Sequence, residues 1–318
     1  MKEGERMGLL DGKVAVVTGA GRGLGRRHAL ALAEAGAAVV VNDLGVSTSG
    51  EGRERGPAEK VTREIEAAGG RAVANFGDVS VFEEAAGLVS QATEELGGLD
   101  ILVNNAGVLR DRMLVNMTEE EWDVVVRTHL NGHFAPLRHA ASLWRRRSKD
   151  GEQVTARVIN TTSSSGLFGS TGQANYGAAK AGIAALTIIA ALELGRYGVT
   201  VNCIAPNART RMTKRTVGEI PKPDEAFDAM HPAQVSPLVV ALASDAAEHI
   251  TGQCFFVYGG TINVLEGWDA GVLLKNEKGW DPDELLDVLR DSFPNGAAPE
   301  GMMPMMVKAT GGEGMHRG

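Results

Sequence analysis

Two side chains near the middle of the chain could carry out proton transfer. Tyr176 and Lys180 are four residues apart, at the start of a segment that we predict to be helical as far as Arg196. In a helix this spacing puts both side chains on one face. A phenol has a pKa of about 10, and a neighbouring cation stabilises the phenolate and lowers that value. Tyr176 could therefore act as a general base for a hydroxyl group, or as a general acid for a carbonyl.

A hydroxyl side chain could hold the reacting oxygen beside this pair. Three serines, Ser163, Ser164 and Ser165, follow a segment rich in β-branched residues, 154–162, which we predict to be a strand. Residue types alone do not choose among the three serines. A Tyr-x-x-x-Lys pair alone is also more often a helix-surface contact than a catalytic pair. The assignment therefore depends on the elements around it.

The best-defined of these elements is the stretch from Lys13 to Asp43. It predicts a buried strand at 14–17, a glycine-dense turn, a helix that stops near Gly36, and a second strand at 37–41 with an acid at its tip. This is the arrangement of a dinucleotide site, in which glycines and a helix N-terminus receive a pyrophosphate and the acid binds the adenosine ribose. In the turn we expect cofactor contacts from Gly19, Arg22, Gly23, Leu24 and Gly25.

Two residues bear on the choice of dinucleotide. Asp43 would bond the free 2′-hydroxyl of NAD and repel the 2′-phosphate of NADP. Arg22 acts in the opposite direction, because a guanidinium could pair with that phosphate. The repulsion between a carboxylate and a phosphate dianion outweighs the attraction of a mobile arginine, so we predict NAD as the cofactor.

The rest of the chain alternates between strand and helix patterns. Further strands are predicted at 71–76, 99–103, 199–205 and 254–257, with helices between them. The fold class is therefore α/β, a single Rossmann-like, doubly wound parallel sheet with helices on both faces. Asp78 and Val79 follow one strand and would contact an adenine, or the aspartate simply forms a turn. Asn105, Ala106 and Gly107 follow another strand at the same sheet edge.

Composition narrows the function classes. Lys plus Arg number 32 and Asp plus Glu 40, a net charge of −8, which argues against a nucleic-acid or membrane binder. The two cysteines, Cys203 and Cys254, have no metal-ligand spacing, and no disulfide framework is indicated. The N-terminus has no apolar segment of signal-peptide type, and no apolar run would span a membrane. We expect a cytoplasmic protein without a metal site.

Several motifs together resemble the short-chain dehydrogenase/reductase family. They are Thr18-Gly19-x-x-x-Gly23-x-Gly25, the NNAG at 104–107, Ser163-x12-Tyr176-x3-Lys180, and ITGQ followed by Gly259-Gly260. The resemblance implies that Ser163 holds the substrate oxygen, and that Tyr176 is the base, with its pKa lowered by Lys180 and by the positive nicotinamide. It also implies that Lys180 bonds the nicotinamide ribose, that NNAG, Pro206 and Thr210 contact the cofactor, and that the protein is a homodimer or homotetramer.

One position departs from the family pattern. Many members place an asparagine in the long central helix, three residues before a glycine, where it supports a proton-relay water. Here the glycine is Gly132 and the residue three before it is His129, while Asn131 falls on another helix face. His129 is either a replacement for the relay residue or a satisfied helical histidine.

Other stretches resemble one branch of the family. VVVNDLG, AGVLRDRM, GQANYGAAK, APNARTRMT and the histidine at 129 are similar to the (3R)-hydroxyacyl-CoA dehydrogenase domain of peroxisomal multifunctional enzymes type 2 and its bacterial single-domain relatives. The resemblance implies oxidation of a (3R)-hydroxyacyl-CoA thioester to a 3-ketoacyl-CoA. A hydroxysteroid or other secondary-alcohol dehydrogenase is the enzymatic alternative. A protein that senses NAD(H) without turnover is the non-enzymatic one.

We divide the chain into a dehydrogenase domain, 1–262, and a C-terminal extension, 263–318. The domain includes an irregular segment at about 207–231, rich in proline and glycine, which would act as a substrate lid or would be an ordinary loop. In the extension, 281–293 predicts an amphipathic helix. The methionines at 302–306 would touch an acyl chain, pack on a neighbouring subunit or be disordered, and the last eight residues are predicted to be disordered.

Overall fold

One sheet of eight strands organises the molecule. The computed structural model describes residues 8–213, 227–267, 270, 272–293 and 301–310. The strand order is β3-β2-β1-β4-β5-β6-β7-β8, and every neighbouring pair is parallel except β7 with β8. The strands are β1 (Val14–Thr18), β2 (Ala38–Asn42), β3 (Ala72–Asn75), β4 (Ile101–Asn104), β5 (Ala156–Thr161), β6 (Val199–Pro206), β7 (Cys254–Tyr258) and β8 (Thr261–Leu265). The predicted doubly wound α/β class is confirmed.

Helices cover both faces of the sheet. They are α1 (Gly23–Glu34), α2 (Gly56–Ala67), α3 (Phe82–Leu96), α4 (Glu119–Val126), α5 (Gly132–Lys149), α6 (Ser164–Phe168), α7 (Ala174–Leu194), α8 (Ser236–Ala243), α9 (Pro282–Ser292) and α10 (Met302–Ala309). Residues of α1, α2 and α8 form a core on one face, and residues of α3, α5 and α7 form a core on the other. All five residues of β1 are buried, as a strand covered on both faces requires.

The predicted long central helix is interrupted. Helix α4 begins with a capping box, in which the Thr118 hydroxyl accepts from the Glu121 amide at 3.2 Å and the Glu121 carboxylate accepts from the Thr118 amide at 3.0 Å. Between α4 and α5 lies a single π-helical turn, Arg127–Asn131. Such turns are rare and often stand at functional sites. This one contains His129.

Helix α7 and its continuation, Ala174–Tyr197, are long and apolar enough to cross a membrane by length and composition. Core helices of folded proteins share this length and composition. The helix packs against β6, α4 and α6 and contributes Ala190, Ala191 and Leu194 to the core. We therefore describe it as a core helix.

The structure adds two elements that the sequence did not predict. Helix α6 follows β5 directly, with Ser163 as its N-cap. Strand β8 pairs with β7 through a tight turn in which Gly259 has a φ of +54°. This strand spans residue 262, where we placed the domain boundary, and the division into domain and extension stays a prediction.

In the extension, the predicted helix is confirmed as α9, with the Asp281 carboxylate accepting from the Asp283 amide at 2.9 Å. The predicted disorder of the last eight residues and the centre of the predicted lid, 214–226, lie outside the described residues.

Candidate active site

The glycine turn lies at the carboxyl edge of the sheet, beside the switch point between β1 and β4. Helix α1 begins there with no side-chain cap on Arg22 and no acidic residue in its first turn. The first backbone N–H groups of α1 therefore face a cleft with their partial positive charge. This end of the helix fits a pyrophosphate.

Two glycines make the approach possible. Gly19 has a φ of +64°, and a Cβ there would lie 2.8 Å from the Cα of Ala106. A Cβ on Gly25 would overlap the carbonyl of Gly19 and lie 2.5 Å from the carboxamide nitrogen of Asn105. Only glycine lets the turn, the helix and the end of β4 pack this closely. The two glycines therefore fix the turn against the end of β4, beside the cleft.

Asp43 lies at the tip of β2, and backbone amides fix its carboxylate. One oxygen accepts from the Gly21 amide at 2.7 Å and the other from the Gly45 amide at 2.7 Å. Both Asp43 and Arg22 line the cleft. The guanidinium of Arg22 is 2.9 Å from the Glu54 carboxylate and 3.3 Å from the Val46 carbonyl. The acid is therefore oriented by the fold, while the arginine is engaged with the loop that follows it.

The NNAG segment, residues 104–107, braces the turn from the neighbouring strand. The Thr18 hydroxyl accepts from the amides of Asn105 and Ala106 at 2.9 and 3.0 Å. The Asn105 carboxamide donates to the Thr18 carbonyl at 2.9 Å. Asn105, Ala106 and Gly107 also line the cleft, together with Leu24 and Gly23. These predicted cofactor residues are brought together.

The remaining predicted cofactor residues surround the same cleft less uniformly. Asp78 and Val79 line it, and the Asp78 carboxylate also accepts from the Ser80 amide at 2.9 Å, so it forms the turn that was the alternative. Thr210 lines the cleft through the start of the predicted lid. Pro206 closes β6 at the same edge.

The predicted catalytic group lies next to this cleft. The hydroxyls of Tyr176 and Ser163 are hydrogen-bonded, and Ser163 caps α6 by accepting from the Ser165 amide at 3.2 Å. The ammonium of Lys180 is 5.6 Å from the centre of the Tyr176 ring. The structure thus brings Ser163, Tyr176 and Lys180 together, and it places Ser164 and Ser165 inside α6.

Lys180 is 2% exposed and carries no carboxylate partner within the described part of the chain. Its ammonium donates to the Thr161 carbonyl at 2.5 Å. Burial lowers the pKa of Lys180 to about 7. A buried lysine at the edge of a cleft is typical of a functional site rather than of a structural one.

The expected lowering of the phenol pKa by Lys180 is not found in the protein groups alone. Loss of hydration raises the pKa of Tyr176 to about 12, and Asp111 adds to this increase while the hydrogen bond with Ser163 opposes it. The lysine has little effect because its own ammonium is directed to the Thr161 carbonyl. The additional positive charge that a phenolate base requires must come from outside these side chains.

His129 is buried, and its ring meets Tyr176 edge-on, with the ring centres 5.1 Å apart. Its Nε2 is 2.8 Å from the Val108 carbonyl and 3.2 Å from the Val108 amide. Nδ1 is buried and, among the described residues, without a hydrogen-bond partner. Burial and the charge of Lys180 hold the pKa of His129 well below its usual value. The histidine therefore supports Tyr176 as a neutral ring.

His133, which the sequence did not single out, links the helix to Lys180. Its Nδ1 donates to the His129 carbonyl at 2.7 Å. Its Nε2 accepts from the Thr161 amide at 3.4 Å, and the carbonyl of the same residue, Thr161, accepts from the ammonium of Lys180. Burial and Lys180 lower the pKa of His133 as well. A histidine four residues after His129 was the available signal.

Two further residues that the sequence did not predict order the start of α7. Asn175 is fully buried, and its carboxamide donates to the carbonyls of Arg110 and Glu121 at 3.0 and 2.8 Å and accepts from the Tyr176 amide at 2.7 Å. Gln173 donates to the Asp111 carboxylate at 3.2 Å. The base is thus held by the loop that follows β4.

The described ends of the predicted lid are joined to each other. The Arg209 guanidinium pairs with both oxygens of Asp228, at 2.6 and 2.8 Å, and the Arg209 amide donates to the Met230 carbonyl at 2.6 Å. A bidentate pair of this kind fixes the two ends as one unit.

The methionine-rich segment forms α10, which folds back onto α6. The Met302 sulfur is 3.4 Å from the Ser165 hydroxyl, and Met306 is buried against Phe256. The structure shows this segment packing within the chain, against the helix that Ser163 caps, an arrangement that none of the three predicted alternatives described.

The comparisons agree with this geometry. A family model described as short chain dehydrogenase matches residues 13–219. The hydroxyacyl-CoA dehydrogenase ChsB1 of Mycobacterium tuberculosis is 48% identical over 299 residues, which are 92% of this chain and 91% of that protein. The peroxisomal multifunctional enzyme type 2 of Mus musculus is 39% identical over 307 residues, 95% of this chain and 39% of that larger protein.

A solved structure is also similar. The crystal structure of a short chain dehydrogenase from Mycobacterium avium matches with a TM-score of 0.83 and 52% identity, covering 92% of this chain and 99% of that chain.

Proposed function

This chain belongs to the short-chain dehydrogenase family and is an oxidoreductase acting on CH–OH groups, and we propose that it oxidises a (3R)-hydroxyacyl-CoA to the 3-ketoacyl-CoA with NAD. The observation that carries the proposal is the group Ser163, Tyr176 and Lys180 beside a dinucleotide-shaped cleft. Similarity to a hydroxyacyl-CoA dehydrogenase over nearly the whole chain supports the substrate class.

In this reaction the chain's own residues bind, orient and move a proton. The cofactor supplies the hydride acceptor and, when oxidised, a positive charge next to the phenol. Ser163 donates a hydrogen bond to the substrate oxygen, and Tyr176 accepts the proton of the hydroxyl as the C–H bond is broken. Lys180, whose ammonium donates to the Thr161 carbonyl, would bind the nicotinamide ribose, and the positive charge of the oxidised cofactor would stabilise the phenolate. His129 keeps the Tyr176 ring in place by edge-on contact.

NAD rather than NADP is proposed because of Asp43. Two backbone amides orient its carboxylate at the tip of β2, where it can bond a ribose 2′-hydroxyl. A 2′-phosphate would meet that carboxylate directly. The remaining predicted contacts, from Gly19, Arg22, Gly23, Leu24, Gly25, Asp78, Val79, Asn105, Ala106, Gly107, Pro206 and Thr210, are proposed for the same dinucleotide.

We further propose a homo-oligomer in the cytoplasm. Helix α7 exposes apolar side chains, Ile188, Ile189 and Leu192, the last being 80% exposed, and Phe134 on α5 is also exposed. An apolar face of this kind supports association between copies. The sequence has two cysteines and no disulfide framework, which supports a reducing compartment.

The test is a substrate panel in which NADH formation is followed by its absorbance. The panel contains a 3-hydroxyacyl-CoA of each hand, the corresponding free acids and a hydroxysteroid, each with NAD and with NADP. Tyr176→Phe is the blank, because it removes the base and keeps the ring, and Tyr197→Phe is the matched control. We expect turnover of the (3R)-thioester with NAD, reduced about a thousandfold or more in the blank.

Each alternative gives a different result. Turnover of the steroid alone would keep the mechanism and overturn the thioester assignment. NADH binding without turnover of any substrate would support the sensing protein and overturn the enzyme.

A further inference from the structure

One loop beside the cofactor cleft has no role in the proposed reaction. Residues 44–55 connect β2 to α2 and are joined to the protein at both ends of the cleft. On the adenosine side, Glu54 pairs with Arg22 at 2.9 Å. On the substrate side, Glu51 pairs with Arg110 at 3.2 Å, and the Thr48 carbonyl accepts from the Leu109 amide at 2.9 Å.

The charges around the tip of β2 are balanced. Arg22 and Arg211 both line the cleft, and the acids that act on Arg211 are Asp43 and Glu54. Burial and the charge of Arg22 lower the pKa of Arg211, while the two acids oppose that effect. With two cations against two anions, the region has no excess positive charge to offer a phosphate dianion.

The guanidinium of Arg22 is held by contacts with this loop. Its guanidinium contacts Glu54 and the Val46 carbonyl, both in the 44–55 loop. Asp43 is held separately, by the two backbone amides from which its oxygens accept. To reach a 2′-phosphate, Arg22 would have to leave its partner in the loop.

We propose that Glu54 determines cofactor specificity: by holding the guanidinium of Arg22, it disfavours a dinucleotide that carries a 2′-phosphate on its adenosine ribose. The inference rests on the proposed use of NAD. Asp43 repels the phosphate, and Glu54 removes the attraction by which Arg22 would offset this repulsion.

The test measures the dissociation constants of NADH and NADPH directly, from the nicotinamide fluorescence of the full chain. Glu54→Gln removes the charge and keeps the shape. Glu51→Gln is the matched control, because it removes the same charge from the same loop, at a side chain that is 74% exposed against 67% for Glu54, but pairs with Arg110 instead.

We expect Glu54→Gln to tighten NADPH binding by about fivefold, the factor that an exposed ion pair is worth, with NADH binding unchanged within about twofold. Glu51→Gln should leave the NADPH-to-NADH ratio within about twofold. In an Arg22→Gln background the effect of Glu54→Gln should disappear.

The outcomes separate the two proposals. If the unsubstituted chain binds NADPH more tightly than NADH, the assignment of NAD as the cofactor is itself overturned. If the unsubstituted chain prefers NADH, the inference about Glu54 is overturned by an unmoved ratio in Glu54→Gln, by an equal change in Glu51→Gln, or by an effect that persists without Arg22.

Discussion

The two ends of the cleft are built from different materials. The dinucleotide end is made of backbone: glycines without a Cβ, the uncapped N-terminus of α1, and an aspartate fixed by two amides. The proton-transfer end is made of buried side chains, where Lys180, His129 and His133 are at most 2% exposed. Backbone shape is therefore the main requirement for cofactor binding at the first end, and the ionisation of buried side chains is the main requirement at the second.

This difference follows from what each end has to do. A pyrophosphate is recognised by N–H groups and a helix terminus, which any sequence supplies if the chain can approach closely enough. Proton transfer needs groups whose ionisation differs from that in water, and burial is what changes their pKa. The protein therefore uses glycine at one end and hydrogen-bonded histidine at the other.

Gly25→Ala tests the backbone end and has a larger expected effect than the substitution at the buried end. The added Cβ would overlap the Gly19 carbonyl and crowd the Asn105 carboxamide, so the turn must open. We expect NADH to bind about a hundredfold more weakly, measured by fluorescence titration, and KM for NAD to rise in parallel. At saturating cofactor kcat should be largely retained, because the proton-transfer end is unchanged.

The control for this substitution is Gly56→Ala at the start of α2. No atom lies within 4 Å of a Cβ built there, and it should leave NADH binding unchanged. A loss of kcat at saturating NAD in Gly25→Ala would show that the two ends are not separable.

His133→Gln tests the buried end, with a smaller effect. The imidazole joins the His129 carbonyl to the Thr161 amide, and the Thr161 carbonyl holds the ammonium of Lys180. A glutamine cannot make both contacts, so Lys180 should shift relative to Tyr176. We expect kcat to fall about tenfold, with NADH affinity within about twofold and a displaced pH profile of kcat.

His139→Gln, on the same helix, is the matched control. Its ring contacts Phe82, through the carbonyl at 3.0 Å and through the phenyl ring with the ring centres 4.3 Å apart, so kcat and its pH profile should not change. A fall in kcat for His133→Gln without any change in the pH profile would indicate loss of folded protein and contradict a positioning role.

The sequence predicted the two ends to different depths. For the dinucleotide end, glycine spacing and a terminal acid are local patterns, and the structure places every element of 13–43 where those patterns imply. For the proton-transfer end, Tyr176 and Lys180 were found because their spacing is also local. Which of the three serines faces them was not decided by residue types, since α6 begins within the serine run.

The support of the proton-transfer end could not be predicted, because its partners are distant in sequence or belong to the backbone. His133 contacts a peptide 28 residues away, and Asn175 contacts carbonyls 65 and 54 residues away. Every residue has a backbone carbonyl, so no residue pattern predicts which carbonyl a side chain will contact. The same limit applies to the pKa of Tyr176, where burial outweighs a lysine whose ammonium is directed elsewhere. In β8, by contrast, the signal was present: Gly259-Gly260 is a hairpin turn that we interpreted as the end of the fold.

The last prediction concerns the loss of folding stability at low pH and which end of the cleft causes it. His28 lies under the dinucleotide end in α1, where its Nδ1 is 3.0 Å from the Ser236 hydroxyl, and burial lowers its pKa to about 4. The unfolded chain binds a proton at this histidine below a pH of about 6.5, and the folded chain does not until about 4, so stability is lost as pH falls through this range. His28 alone accounts for up to about 3 kcal/mol of that loss, and His129 and His133, whose pKa values are also lowered, add to it.

Urea unfolding at steps of pH measures this loss. His28→Leu should remove one histidine's share of the slope, about 1.4 kcal/mol per pH unit, while leaving the shares of His129 and His133 in place. A slope that is the same in His28→Leu as in the unsubstituted chain would mean that acid acts through the proton-transfer end alone. Because these histidines must stay neutral for the fold to persist, acid should unfold the protein before it titrates the buried rings in place.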